Sequence, residues 1–157
     1  MAVTAATLTT TVSESITLNG STYGNTVTKT HASVKVVRQQ TMSVPTTLVT
    51  LYEAADSASG QTFDEDTIVY ARITNTDTSN YVGIHILTDG GLETLYKLNA
   101  GCTLILNAHA DALFTEDTSA ADITAEAFST ATMDIIKVSA DANTAAVDVE
   151  VFIASTS

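Results

Sequence analysis

Cys102 is the only thiol in the chain, and the imidazoles number three: His31, His85 and His109. A nucleophilic cysteine needs a neighbouring base to hold it as a thiolate, and it favours a helix N-terminus. Cys102 instead stands in Tyr96-Lys-Leu-Asn-Ala-Gly-Cys-Thr-Leu-Ile-Leu106, behind a turn glycine and at the head of an apolar run. That setting predicts a small packed side chain at the start of a strand. The histidines form no i, i+4 pair and no His-x-His, and no carboxylate stands at a zinc-type spacing beside them. His85 is expected on the polar side of a strand, as an outer residue or a partner contact.

Oxygen ligands are more plentiful. Asp64-Glu65-Asp66, Asp77, and Glu116-Asp117 with Asp122 are acidic loop groups, and Ca2+ prefers carboxylate and carbonyl oxygens. Asp64, Asp66 and Asp117 are the weak Ca2+ candidates. None follows the Asp-x-Asp-x-Asp-Gly spacing, so solvated loops, with no metal and no cofactor, are the expectation. Glycosidase chemistry needs two carboxylates facing across a cleft, with aromatics to seat the sugar. The chain has no Trp, and Tyr23, Tyr52, Phe63 and Tyr81 are its plausible stacking residues. The residues point away from an enzyme.

The elements that would carry these residues are β-strands. Roughly one residue in five or six is Thr, whose β-branch suits a pleated surface, and there is one proline. Val34–Val44, closed by Pro45, and the run 46–52 predict two strands, or one strand with a break, with Pro45 at an edge or turn. Residues 53–66 predict a loop. Thr67–Asn75, Tyr81–Leu87, Thr94–Leu98 and Cys102–Leu106 predict four more, joined by turns at 76–80, 89–91 and 99–101. Val82, Ile84 and Ile86 share one face, and Leu98, Leu104 and Leu106 are core candidates. After an acidic connection with a helical turn near 118–121, further strands are expected at 123–128, 133–138 and 146–153, with 139–144 as a hairpin loop. The last strand alternates cleanly, with Val147, Val149, Val151 and Ile153 opposite Asp148, Glu150 and Phe152. About eight evenly spaced strands without an amphipathic helix predict an all-β, antiparallel β-sandwich of jelly-roll type over residues 31–157. Residues 1–30 hold too little apolar surface for a core. They read either as a strand, Asn19-Gly20 turn and returning segment, or as an extended arm that orders on a neighbour.

Charge narrows the partners. A formal charge of −12 with six dispersed basic residues excludes a phosphate-neutralising nucleic-acid surface. No run is long and apolar enough to span a bilayer as a helix, and the N-terminus has no signal-peptide pattern.

The run from Ile68 to Ile86, with its Ile-Thr-Asn-Thr strand end, followed by Leu95–Leu106 with its Leu-Asn-Ala-Gly turn, resembles a pattern of small structural proteins of tailed bacteriophages. It covers about residues 66–107. The acidic, Thr- and Ala-rich composition and the N-terminal arm are similar to those of capsid decoration, or cement, proteins. The resemblance implies a homo-oligomer, a trimer by preference, on the outer surface of the virion, clamping neighbouring major capsid protein subunits. The arm would touch the shell or an adjacent protomer. The alternative is a sandwich module of a head fibre or tail that recognises a glycan or host surface, with Ca2+ as a possible aid.

Overall fold

The computed structural model describes residues 4–56, 58–60, 62–89, 91, 93–106 and 134–157. Two sheets form an all-β sandwich. One is ordered β11-β8-β13-β5 and the other β10-β9-β12-β6-β7. The first holds β11 (Thr103–Leu106), β8 (Ile68–Asn75), β13 (Val147–Ser155) and β5 (Val36–Val44). The second holds β10 (Glu93–Leu98), β9 (Val82–Thr88), β12 (Ile135–Ala142), β6 (Val49–Ala55) and the two-residue β7 (Phe63–Asp64). All pairings are antiparallel except β6 with β7. Chain-consecutive long strands mostly cross between the layers.

The alternation in β13 shows why the layers close. Val147, Val149, Val151 and Ile153 are each at most 1% exposed, while Asp148, Glu150 and Phe152 take the other face. Val82, Ile84 and Ile86 answer them from β9, with Val138 and Ala140 beside them from β12. Burying a Val or Ile side chain is worth about 1.5–3 kcal/mol, and these strands supply it on every second residue. Leu98 and Leu106 enter the same core, and Leu104 packs against it half-buried.

Residues 6–34 form a long hairpin. β1 (Ala6–Ser13) pairs with β4 (Thr26–Val34), and β2 (Ile16–Leu18) pairs with β3 (Ser21–Tyr23). Asn19 and Gly20 make the reversal with φ of 51° and 80°, the left-handed values that a two-residue hairpin turn demands. The pairing runs from Leu8 opposite His31 to Ser13 opposite Thr26, breaks, and resumes in the same register from Ile16 opposite Tyr23 to Leu18 opposite Ser21. Glu14 N donates to Asn25 O at 2.9 Å through the gap between the two ladders. Thus the turn-and-return reading describes the arm, and its boundary lies at Val34 rather than residue 30.

Two sequence expectations change. Strand β12 continues to Ala142, so residues 139–142 are not loop. Ser139 and Ala140 are held there because the strand is central, paired to both β6 and β9. Within 53–66, β6 runs on to Ala55, and Phe63–Asp64 pairs with Ala54 and Ala55 in parallel. Phe63 is 3% exposed, and that burial draws the segment back onto the sheet. The expected strand at 123–128 and the helical turn at 118–121 lie outside the described residues. Pro45 sits in a break after β5, an edge strand, where its missing donor costs no ladder bond, and its carbonyl accepts from Ala142 N at 2.8 Å.

Candidate functional site

The chemistry-bearing residues are dispersed. Cys102 is exposed, contrary to the packed side chain expected of it. It belongs to the turn rather than to β11. Its N donates to Asn99 O at 3.1 Å and its carbonyl accepts from Asn75 N at 3.0 Å, which leaves the side chain outside the core. Gly101 takes a φ of 70°, as a turn of this kind needs. Asp64 is used structurally. Its Oδ1 accepts from Asp66 N at 3.1 Å and its carbonyl from Thr67 Oγ1 at 2.9 Å, capping the single 3-10 turn Glu65–Thr67. Asp66 lies in that turn. Asp117 and His109 are outside the described residues. Among the described residues no group of three or more His, Cys, Asp and Glu side chains could hold a metal ion. The acid that does gather neighbours is Glu65. Burial, a hydrogen bond and charge from Asp56, and the charges of Asp134 and Asp89 raise its carboxyl above the ordinary range.

Of the stacking candidates, Tyr52 and Phe63 are in the core at 4% and 3% exposure. Tyr81 is covered by Lys97, whose Nζ lies 4.1 Å from the ring centroid. Tyr23 is exposed near the arm tip. No aromatic platform is assembled from the four.

His85 is on the outer face of the five-stranded sheet, as its alternation predicts, but it is not idle. Nδ1 lies 2.8 Å from Glu93 Oε1 on β10, and Nε2 lies 3.0 Å from Asp141 Oδ1 on β12. Both carboxylates reach it diagonally, because Glu93 pairs with Leu87 and Asp141 with Gly83. Gly83 makes the second approach possible, since a Cβ there would fall 2.7 Å from Asp141 Oδ1. Burial alone would lower the imidazolium pKa, but the two hydrogen bonds and the two negative charges outweigh it and the net shift is upward. The protonated ring donates to both carboxylates and pins β9 between its neighbours.

The arm meets the sandwich at a second apolar cluster. Val34, Tyr70 and Ala154 are buried there, with Leu8, Val69 and Phe152 packed against them. The His31 ring lies 5.8 Å from that of Tyr70, and Tyr70 meets Phe152 edge-on at 5.9 Å. His31 Nε2 is buried without a hydrogen-bond partner among the described residues. Burial, then the charge of Lys29, lowers its pKa. Beside this foot an open groove of about 480 Å³ runs between β1 and the outer face of the four-stranded sheet. Leu8, Val12, Tyr70, Arg72, Ile105 and Phe152 line it. Arg72 is ion-paired with Glu150.

Beyond the foot the two faces of the arm differ. Thr9, Thr11, Ser13 and Thr17 face Thr30, Thr28, Thr26 and Thr22, and hydroxyl pairs such as Ser13 with Thr26 (3.0 Å) and Thr11 with Thr28 (3.3 Å) join across the strands. The alternate positions carry Val12, Ile16, Leu18, Tyr23 and Val27, all 50–60% exposed. The sequence identifies the segment as an arm but not by this face, although Val12, Ile16 and Leu18, all even-numbered, share one side of a strand with Glu14 between the first two.

Comparison of the chain with protein-family models, with curated proteins and with solved structures returned no match.

Proposed function

We propose that the protein is a structural virion component of the capsid decoration class, a homo-oligomer that binds the outer surface of a phage capsid and bridges major capsid subunits. The observation that carries this reading is the arm: a 29-residue amphipathic hairpin anchored by its foot to a rigid sandwich, with its apolar row turned to solvent. Exposed apolar surface of this kind, here with Glu14 and Asn25 between Val12 and Ile16, favours a protein contact. A protein that prefers the assembled shell to free subunits stabilises it by mass action, and several weak contacts per oligomer multiply through effective concentration.

The strand order supports the finer fold reading. Numbered along the chain, the eight long sandwich strands run 6-3-8-1 in one layer and 5-4-7-2 in the other. Among the described strands that order favours the jelly-roll reading, an architecture that viral capsid and lectin domains both use. Fold alone does not choose between them. The burial of Tyr52 and Phe63 removes half of the aromatic surface that the glycan-binding alternative would draw on. The test is co-sedimentation of purified protein with expanded and unexpanded heads of a tailed phage whose genome carries the gene. Binding to expanded heads alone is expected, and no binding to either form would end the proposal.

A further inference from the structure

The arm carries an apolar face that the described residues of its own chain leave uncovered. From Leu8 to Leu18 the first half of the hairpin extends about 33 Å at strand rise. The two ladders keep one register across their break, which the Glu14–Asn25 hydrogen bond bridges. A two-stranded ribbon is marginal in water by itself. Ile16, Leu18 and Tyr23 near the tip are nevertheless 58–60% exposed. The groove at the foot has the complementary deficiency. It is open, lined by apolar side chains together with Arg72 and the Thr9–Thr11 stretch of its own arm, and at about 480 Å³ within the size range of sites that seat several apolar groups.

Charge selects the occupant. The arm contains one acid, Glu14, and one base, Lys29, so the entire net charge of −12 belongs to the rest of the chain. Two sandwiches meeting body to body would bring like charges together, which costs free energy. A neutral arm entering a groove whose one charged residue, Arg72, is already paired with Glu150 meets no such opposition. We propose that the arm tip of one copy, through Ile16, Leu18 and Tyr23, docks in the arm-foot groove of a second copy, so that the oligomer is built by arm exchange. This rests on the homo-oligomer reading above and names the surfaces that make it.

The test is sedimentation velocity on the full-length chain and on two variants. One is the tip variant Ile16→Asp/Leu18→Asp, and the other is the groove variant Ile105→Asp. All three positions are exposed, at 60%, 58% and 36%, so the sandwich is expected to keep its far-UV circular dichroism and its thermal transition. The unaltered chain is expected to sediment as an oligomer. Each replaced side chain should weaken association about tenfold or more, leaving both variants monomeric at micromolar concentration. Mixing them should restore a hetero-complex, because the groove variant keeps its tip and the tip variant keeps its groove. An oligomer that survives the tip substitutions would overturn arm exchange and leave the homo-oligomer reading standing. An unaltered chain that is monomeric throughout would overturn both and assign the apolar face to a different partner. Folded, monomeric variants that do not associate on mixing would also sink the exchange.

Discussion

Asn75 is fully buried at the end of β8, and its side chain ties two turns to the core. Nδ2 donates to Asn80 O at 2.9 Å and to Leu98 O at 3.1 Å, and Oδ1 accepts from Asp77 N at 3.0 Å. Its backbone adds Cys102 O and Gly101 N at 3.0 and 3.1 Å. In Asn75→Ala the backbone bonds remain and three side-chain bonds vanish. At about 1 kcal/mol net for each, the loss is about 3 kcal/mol, a large share of the 5–15 kcal/mol typical of a domain. Leu98 O is the costliest orphan, since Leu98 is 1% exposed, whereas Asn80 and Asp77 are partly open to water. For a chain of this size the melting temperature should fall by about 6–12 °C. Asn75→Asp discriminates further. It keeps the acceptor for Asp77 N but sets a buried carboxylate against two carbonyl oxygens, which raises its folded-state pKa. The stability of that variant should therefore be best at acid pH and be lost as pH rises through the raised value. With no Trp in the chain, urea denaturation followed by far-UV circular dichroism is the suitable assay. A cost under about 1 kcal/mol for Asn75→Ala would refute the hub role. So would an Asn75→Asp variant with no more pH dependence than the parent.

Other outcomes follow from the two described histidines and the turns. The folded-state pKa of His85 is raised, so its contribution is present in full below 6.5 and is lost as pH rises through the folded value. Denaturation midpoints should climb from mildly alkaline pH down to 6.5, and His85→Gln should flatten that limb. The pKa of His31 is lowered, so it acts oppositely: stability held above 6.5 is lost as pH falls through the folded value, and His31→Phe should remove that loss while keeping the ring contact with Tyr70. Gly83→Ala should push Asp141 off His85 while Glu93 stays, giving a smaller upward shift when the imidazole is titrated by NMR, and an unchanged titration would contradict the clamp. Cys102→Ser should leave stability within about 0.5 kcal/mol, while Gly101→Val, forced to a φ of 70°, should cost about 1–3 kcal/mol by denaturant titration.

Alternation made much of the sandwich legible, because a half-buried strand writes its two environments into successive residues. Val147 to Ile153 and Val82 to Ile86 could be placed from sequence for that reason. Ser139-Ala-Asp-Ala142 could not. Its residues have low β-propensity, and what makes them strand is pairing on both sides, with Ala140 and Ala142 small enough to lie 0% and 3% exposed at the sandwich centre. Propensity describes a residue alone, and a central strand is decided by its neighbours. Register hid the His85 clamp in the same way. Glu93 is 8 residues away and Asp141 is 56, and only the diagonal offsets across β10 and β12, with the gap at Gly83, bring both carboxylates to one ring.

The arm inverts this relation between what is legible and what is built. Asn19-Gly20 announces the turn, and the alternation of Thr with Val, Ile and Leu announces a two-faced ribbon, so its local structure is among the clearest signals in the chain. What alternation means elsewhere is a core on the apolar side, yet here that side faces solvent from Val12 to Val27. The Thr face needs no further partner, because its hydroxyls pair across the strands and with water. A face patterned for burial but left open among the described residues is what the proposed arm exchange would use, with the groove at the foot of a second copy as the receiving surface.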